Sequence, residues 1–491
     1  MTKLKLYNSL SKQKEVFKPI KEGYIGMYVC GPTVYSDVHL GNVRTFTSFD
    51  IIYRYLLFKG YKVRYVRNIT DVGHLLDDGE DRMSKGARLE QLEPMEIAQK
   101  YSNGFHDIMR QFNTLRPSIE PRATGHIIEQ IEMVQAIWDK GYAYESNGSV
   151  YFDTIKFAKD FDYGKLSGRI IEDLLTETRD NLKNQSEKRH SSDFAIWMKA
   201  SDEHIMKWNS PWSVGFPGWH LECSAMSTKY LGETFDIHGG GNDLKFPHHE
   251  NEIAQNVGSC GHAPANYWLH TNMLLMHGKK MSKSDGNTIS IAELLTGDSP
   301  HVSKAYDTMV VKFFFLQSHY RSTNDLSDEA LLAAEKGYNR LMDANKILQK
   351  MENTSGTTSD LDKEINNLMD MAFAEMDDDF NTPKALARLY ELVSKINGIK
   401  DGHLSMNDIT ANTLERLKKT FTSFINDIFG FTEVAESNGN SMDGVMELLI
   451  DIRQEARKNK DWGTSDKIRD GLNKVNIVLK DGKDGTSWSQ N

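Results

Sequence analysis

The sequence has 491 residues, 39% hydrophobic and 26% charged, which is long enough for about three domains with buried cores. Its 59 Lys and Arg against 69 Asp and Glu give a net charge of −10, so any phosphate-binding surface must be a local basic patch. The only cysteines, Cys30, Cys223 and Cys260, are too few and too scattered for a disulfide framework, and they indicate a reducing, cytoplasmic setting. The lysine-rich N-terminus lacks the apolar core of a signal peptide, and no apolar run approaches the roughly 18 residues of a membrane span.

The first regular pattern predicts a βαβ unit. Residues 24–30 are rich in strand-forming residues, 46–57 carry apolar residues at helical spacing, and 61–67 alternate like a strand. Such a unit begins a doubly wound parallel sheet. Because a second β- and glycine-rich block spans 216–289, we predict that the segment 95–215, expected to be mostly helical, is inserted between two halves of one sheet.

The rest of the chain is predicted to be mainly helical. Apolar residues recur every three or four positions over 326–351 and 361–396, and the final unit, 445–488, combines a helical pair with a strand at 475–479. The charged stretch 172–192 lacks periodicity and is predicted to be a flexible surface segment. The fold class is therefore α/β: a doubly wound, Rossmann-type domain split by an insertion, followed by a helical bundle and a small C-terminal α+β unit.

One motif lies between the first predicted strand and helix. The turn-rich stretch from Gly31 through Thr33 leads into His39-Leu40-Gly41-Asn42. A helix N-terminus offers free N–H groups to phosphate, Gly41 permits a close approach, and His39 and Asn42 add side-chain donors. Taken alone, the same residues fit a helix cap followed by an ordinary turn.

A second motif, Lys280-Met281-Ser282-Lys283-Ser284, lies near the end of the second β-rich block. Two lysines three residues apart can stabilise the charge that develops on a departing pyrophosphate. By itself this run also fits a solvated loop. Together, the two motifs in one α/β chain resemble the paired signatures of class I aminoacyl-tRNA synthetases.

A third set of residues combines two thiols, an imidazole and a carboxylate: Cys30, Cys223, His248 and Glu252. His248 and Glu252 are four residues apart and share one face of a predicted helix, so the set fits a tetrahedral zinc site. The spacing from Cys30 to Cys223 is not diagnostic, because buried cysteines are commonly small hydrophobes. A rival ligand set that uses Cys260 and His262 is also conceivable.

Over nearly its whole length the chain resembles the cysteinyl-tRNA synthetase family. The matching stretches are 28–35, 68–71, 163–169, 193–197, 217–220 and 236–241. The resemblance implies that one Zn²⁺ per chain is held by Cys30, Cys223, His248 and Glu252, with Cys260 outside the site. It also implies that the cysteine pocket is bordered by Gly31, Thr70 and Trp219.

The resemblance further implies that ATP, with Mg²⁺, is bound by residues from both signature motifs and from the second half of the sheet: Gly31, Thr33, His39, Gly41, Asn42, His238, Gly240, Asp243, Lys280, Lys283 and Ser284. Those expected to be catalytic are His39, Asn42, Lys280 and Lys283.

The same resemblance implies a cytoplasmic, monomeric enzyme whose partners are L-cysteine, ATP and tRNA(Cys). Its implied organisation is a catalytic domain (1–95 and 215–300), an inserted connective domain (95–215), a stem region (300–330), a helical anticodon-binding domain (330–432) and a small tRNA-contacting unit (445–491). One departure from the family pattern is a longer loop at 73–82.

Two rival interpretations stay open. A paralogous cysteine ligase of mycothiol synthesis also adenylates cysteine on zinc but lacks a long C-terminal RNA-binding region, which favours tRNA here. A non-catalytic RNA-binding paralogue should have lost motif residues, yet both signatures and all four ligands are present.

Overall fold

The structure is a computed structural model that describes residues 3–72, 92–170, 187–281, 286–352, 356–432, 439–475, 477–482 and 485–490. The loop 73–82, most of the charged stretch 172–192, and Lys283 and Ser284 lie outside these ranges. The chain divides into two compact units, Met1–Thr432 and Glu433–Asn491.

The strands, in chain order, are β1 (Lys5–Asn8), β2 (Gln13–Val16), β3 (Tyr24–Val29), β4 (Lys62–Arg67), β5 (Ala143–Ser146), β6 (Ser149–Phe152), β7 (Phe194–Lys199), β8 (Trp208–Asn209), β9 (Val214–Pro217), β10 (Phe235–Gly241), β11 (Ala265–Thr271), β12 (Leu274–Met276), β13 (Lys279–Lys280), β14 (Asn324–Leu326), β15 (Ile477–Gly482) and β16 (Gly485–Gln490). The α-helices are α1 (Leu40–Phe58), α2 (Pro94–Gln111), α3 (Ile127–Asp139), α4 (Thr154–Asp160), α5 (Trp219–Leu231), α6 (His248–Cys260), α7 (Ile291–Thr296), α8 (Thr308–Leu316), α9 (Asp328–Lys350), α10 (Asp360–Asp377), α11 (Thr382–Lys400), α12 (Ala411–Thr422), α13 (Gly439–Lys458) and α14 (Trp462–Lys474).

A four-stranded parallel sheet of order β11-β10-β3-β4 forms the centre of the first unit. The β3–α1–β4 crossover confirms the predicted βαβ unit, and β10 and β11 supply the second half of the sheet. Strand order reverses between β3 and β10, and this switch point is where open parallel sheets bind ligands, outside the carboxyl ends of their strands. The fold thus confirms the predicted doubly wound class.

The inserted segment corrects one expectation. Instead of being mostly helical, it also contributes a five-stranded antiparallel sheet of order β5-β6-β7-β9-β8. Its strands have six residues or fewer, too short for alternation to stand out in a sequence window. The β5–β6 turn, Asn147-Gly148, has φ of 54° and 84°, as a two-residue hairpin turn requires, so this dipeptide was a usable signal.

The helical region carries a second correction. The predicted helical run 361–396 is two separate helices, α10 and α11, with a break between them at residues 378–381. Asp379 and Phe380 both have left-handed φ, at 68° and 52°, and both side chains are buried. A helix cannot continue through two such residues.

The second unit packs α13, α14 and the β15–β16 hairpin around Met446, Leu472 and Ile477. This confirms the predicted helical pair followed by a strand. Of the helices that the structure describes, none is long and apolar enough to cross a membrane.

Candidate active site

Four side chains from three segments meet at the switch point of the central sheet. Cys30 directly follows β3, and its N–H donates to the Gly239 carbonyl at 3.0 Å. Cys223 lies in the second turn of α5, whereas His248 and Glu252 occupy successive turns at the start of α6. One ligand atom from each of the four lies within 4.8 Å of all the others, and all four side chains are buried.

The distances within this cluster fit a tetrahedral metal ion. The Cys30 and Cys223 sulfurs are 3.6 Å apart, Cys30 Sγ is 3.5 Å from Glu252 Oε1, and His248 Nε2 is 3.2 Å from the same oxygen. With ligand bonds of about 2.3 Å to sulfur and 2.0–2.1 Å to nitrogen or oxygen, a tetrahedron has edges of about 3.8, 3.6 and 3.3 Å for these pairs. The cluster can therefore hold a metal ion with little rearrangement.

A second group of potential ligands, Cys30, His238, His249 and Glu252, overlaps the first. Its atoms fit one ion less well, since His238 Nε2 is 2.7 Å from Glu252 Oε2, a hydrogen-bond distance, and His249 Nε2 is 4.0 Å from Glu252 Oε1. We therefore assign His238 to orienting Glu252, the role that outer partners of metal ligands commonly take.

Electrostatics favour the ligand forms of two of the four residues, Cys223 and Glu252. Burial, together with Cys223 and Glu252, raises the pKa of Cys30 well above its usual range, and although burial opposes it, Cys223 and Glu252 raise the pKa of His248 to about 10, so both of these residues must lose a proton when a metal ion binds. Burial opposes ionisation of Cys223, but hydrogen bonding from the Cys30 thiol and the nearby His248 lower the Cys223 pKa to about 6. Burial also opposes ionisation of Glu252, yet His238 and His248 hold its pKa well below the usual range. A thiolate and a carboxylate thus coexist in a buried site, and metal binding needs such deprotonated ligands.

The two rings next to the cluster come from the start of α5. The Trp219 ring centroid lies 4.6 Å from that of His248, and His220 Nδ1 is 2.9 Å from His248 Nδ1. The second contact fixes the imidazole so that its Nε2 faces Glu252. Trp219 was predicted to border the amino-acid pocket, and the structure brings it against a predicted metal ligand.

A buried polar network holds the chain beside Cys30. The Gly31 N–H donates to Asn68 Oδ1 at 2.8 Å, Asn68 Nδ2 donates to Thr70 Oγ1 at 3.0 Å, and the Thr70 hydroxyl donates to Glu222 Oε2 at 2.8 Å. A Cβ at Gly31 would lie 1.6 Å from the Asn68 carbonyl oxygen, so only glycine fits. Asn68 and Glu222 were not predicted as site residues, although Asn68 stands inside the matching stretch 68–71 and Glu222 lies two residues beyond the stretch 217–220.

The first signature motif forms a reciprocal cap at the start of α1. The His39 ring accepts the Asn42 N–H at 3.3 Å, and the Asn42 side chain accepts the His39 N–H at 3.1 Å. Burial, partly offset by Asp243, lowers the pKa of His39, which favours the neutral ring. The cap that the sequence allowed is present, and Thr33 forms an isolated parallel β-bridge with Thr70. A Cβ at Gly41 would come within 3.0 Å of the His39 ring.

The remaining residues that were predicted to bind ATP come from β10, the turn after it and the second signature motif. His238 is fully buried and contacts Glu252, and Gly240 is the second-last residue of β10, three residues before Asp243. Lys280 is exposed at the end of β13, where its carbonyl accepts the Asn287 side chain at 3.0 Å. Lys283 and Ser284 lie outside the described residues, so their placement stays a prediction.

The rival ligand set is not assembled. Cys260 ends α6, at the opposite end of that helix from His248, and its thiol donates to the Asn256 carbonyl at 3.2 Å. Within the described ranges, neither Cys260 nor His262 belongs to a group of potential metal ligands.

Comparison with known proteins places the chain in a class. Residues 16–336 match the family model of the class I (C) tRNA synthetase catalytic domain, 373–433 match the DALR domain, and 442–488 match the cysteinyl-tRNA ligase anticodon-binding domain. A solved structure of Mycobacterium tuberculosis methionyl-tRNA synthetase in complex with methionyl-adenylate shares the fold, with a TM-score of 0.60 at 13% identity over 83% of this chain and 91% of that one. The fold and the matched catalytic domain are those of a class I aminoacyl-tRNA synthetase.

Relatives identify the family within that class. The chain is 52% identical to the cysteine–tRNA ligase of Bacteroides thetaiotaomicron and 51% identical to that of Porphyromonas gingivalis, in each case over 99% of both chains. It is 48% identical to the Deinococcus radiodurans enzyme over 99% of this chain and 96% of that one. The chain belongs to the cysteinyl-tRNA synthetase family. Its C-terminal domains disfavour the mycothiol-type ligase, as the sequence predicted.

Proposed function

We propose that this chain activates L-cysteine with ATP to form cysteinyl-adenylate and then transfers the cysteine to tRNA(Cys). The observation that carries the proposal is the convergence of four ligand atoms, two of them sulfurs, at the switch point of the sheet in a chain of this family.

We assign one Zn²⁺ to the cluster formed by Cys30, Cys223, His248 and Glu252, because thiolate, imidazole and carboxylate are its usual ligands. When bound, the ion supplies an affinity for a substrate thiolate that the far less acidic hydroxyl of serine does not match. A pocket without this chemistry separates two such similar side chains by only about 1–3 kcal/mol. Gly31, Thr70 and Trp219 are proposed to border the bound cysteine.

The residues proposed to bind ATP come from the cap of α1, the end of β10 and the second signature loop: Gly31, Thr33, His39, Gly41, Asn42, His238, Gly240, Asp243, Lys280, Lys283 and Ser284. The substrate carboxylate attacks the α-phosphorus, and the bond to the bridging oxygen breaks, which releases pyrophosphate with its Mg²⁺. Because His39 is held neutral, it serves as a hydrogen-bond donor from Nε2 rather than as a cation. Asn42, Lys280 and Lys283 stabilise the charge that develops, without forming covalent bonds.

The remaining assignments follow the family. We propose residues 1–95 and 215–300 as the catalytic domain, 95–215 as a connective insertion and 300–330 as a stem. Residues 330–432 and 445–491 would bind tRNA(Cys), and the two C-terminal family models support this assignment. We further propose that the enzyme is cytoplasmic and monomeric.

The test is amino-acid-dependent ATP–pyrophosphate exchange with cysteine or serine, combined with metal analysis. Wild type should contain one zinc per chain and exchange with cysteine alone. Cys223→Ala should lose both properties, whereas Cys260→Ala, which removes the thiol outside the cluster, should keep both. Cysteine-specific exchange by a zinc-free protein would contradict the selection argument.

Charging then distinguishes the acceptor. Purified tRNA(Cys) should be aminoacylated by wild type but not by a chain truncated after residue 432, while both should support exchange. Exchange without any charging of tRNA(Cys) would instead indicate a different acceptor. If no amino acid supports exchange, that result would contradict the enzyme assignment.

A further inference from the structure

A buried cation lies on α1, two residues beyond the first signature motif. Arg44, on α1, is 1% exposed, and among the described residues no carboxylate forms an ion pair with it. Its guanidinium instead donates to three backbone carbonyls, those of Asn272 at 2.7 Å, Met273 at 2.5 Å and Ser322. A buried charge without an opposite partner is costly, so an apolar residue would serve packing better.

Those carbonyls mark the base of the second signature loop. Asn272 and Met273 connect β11 to β12, and β12 pairs with β13, which ends at Lys280. Ser322 precedes β14, which pairs with β12 on its other side. The planar fork of one guanidinium therefore ties the helix that begins with His39 to the hairpin that carries Lys280.

The same junction is held from the helical bundle. The Asn272 side chain donates to the Arg321 carbonyl at 2.9 Å, and the Asn272 N–H donates to the Tyr320 carbonyl at 2.8 Å. Arg321 Nε and the Tyr320 hydroxyl in turn donate to the two carboxylate oxygens of Asp379, at 2.7 and 2.8 Å.

Asp379 occupies the break between α10 and α11. Its side chain is completely buried, its φ is 68°, and its carboxylate also accepts the Tyr7 N–H at 2.9 Å. His319 donates to its carbonyl oxygen at 3.0 Å. A left-handed aspartate with this many partners fixes the 319–321 turn against the bundle.

We propose that Arg44 is a positioning residue for adenylation, supported from the bundle by Asp379 through Arg321 and Asn272. This inference rests on the proposed function, in which the two signature loops grip the triphosphate from opposite sides. Reactants misplaced by about 1 Å can lose about 100-fold in rate, so the distance between the two loops must be fixed. Only arginine supplies a rigid fork with enough donors for three carbonyls.

Arg44→Lys tests the link by kinetics, because the single nitrogen of an ammonium, one atom shorter in reach than a guanidinium, cannot span the three carbonyls. We expect kcat for cysteine-dependent ATP–pyrophosphate exchange to fall about 30- to 100-fold, while KM for ATP and for cysteine each change less than about threefold. The matched control is Arg64→Lys, since Arg64 donates to a backbone carbonyl, that of Tyr230 at 3.1 Å, at the exposed surface. The control should stay within about twofold of wild type.

Amide hydrogen exchange gives a readout that does not depend on catalysis. Peptides covering 272–281 should exchange faster in Arg44→Lys than in wild type, while peptides covering 382–400 should not change. Asp379→Asn, which retains a residue type that tolerates left-handed φ, should lower kcat about 3- to 10-fold. Combined with Arg44→Lys, it should lower kcat by less than the product of the two single effects, since both act on one junction.

The possible outcomes distinguish failure of the positioning role of Arg44 from failure of the proposed function. A normal kcat in Arg44→Lys, or a low kcat with unchanged hydrogen exchange over 272–281, overturns the positioning role. If Arg44→Lys does not fold, Asp379→Asn and Arg321→Lys decide it by the same two measurements. A wild-type chain without cysteine-dependent exchange contradicts the proposed function, whereas hydrogen exchange still decides whether Arg44 ties the two loops together.

Discussion

Replacing Thr70 by valine should uncouple the polar network beside Cys30 while preserving side-chain shape. The Thr70 hydroxyl accepts from Asn68 and donates to Glu222, and all three side chains are buried. Valine fills nearly the same volume but leaves an amide hydrogen and a carboxyl oxygen without partners.

The expected loss of stability follows from those two groups. Each buried polar group without a partner costs about 1–3 kcal/mol. Burial and the nearby Cys223 raise the pKa of Glu222 well above its usual range, so a neutral carboxyl is orphaned and the lower half of that range applies. We therefore expect Thr70→Val to lower the free energy of unfolding by about 2–4 kcal/mol in total.

Denaturant unfolding of wild type, Thr70→Val and Thr70→Ser measures this loss in the free energy of unfolding. Serine keeps the hydroxyl, so Thr70→Ser should remain within about 1 kcal/mol of wild type. Because Asn68 also holds Gly31 beside the cluster, KM for cysteine should rise in Thr70→Val but not in Thr70→Ser. Equal stabilities for the valine and serine variants would refute the network as described.

Three further predictions concern single sites. Gly31→Ala places a methyl group against the Asn68 carbonyl oxygen, so we expect a loss of more than about 3 kcal/mol, seen as a fall in denaturation midpoint; a midpoint equal to wild type would contradict the clash. His39→Asn keeps a good helix cap but removes the ring, so the free energy of unfolding should be unchanged while kcat for ATP–pyrophosphate exchange falls about 100-fold. A lower free energy of unfolding without any change in kcat would show that His39 acts only as a helix cap. Burial, partly offset by Asp50, lowers the pKa of Lys312 to about 8, so above that pH the folded state releases a proton that the unfolded state keeps. Wild type should therefore gain about 1 kcal/mol over Lys312→Met between pH 8 and pH 9, and parallel pH curves for the two proteins would contradict this.

Local pattern was enough to predict the βαβ unit and the cap at His39, because strand alternation, helical spacing and caps are set by neighbouring residues. The metal cluster came from family resemblance instead. Cys30 and Cys223 are 193 positions apart, and no spacing rule brings such residues together.

Contacts between distant segments could not be predicted either, because no spacing rule relates residues that are far apart in the sequence. Glu222 bonds across 152 positions to Thr70, and Arg44 reaches carbonyls 228 and 229 positions away. Nothing in the composition around these residues signals a distant partner. The five-stranded sheet was missed because its strands are short and interleaved with helices, although Asn147-Gly148 marked one of its turns.

The scattered origin of the four ligands has a consequence for biosynthesis. During translation Cys30 leaves the ribosome first, and the last ligand, Glu252, follows more than 200 residues later. Domains fold in the order of their synthesis, at about 5–20 residues per second, so the first thiol waits roughly ten seconds or more for its partners. Metal binding therefore cannot guide the early folding of the β3–α1–β4 unit, and its free energy stabilises only the late step in which the two halves of the sheet join. Metal shortage during growth should accordingly yield chains in which β3, α1 and β4 have folded but β10 and β11 have not joined them in the sheet.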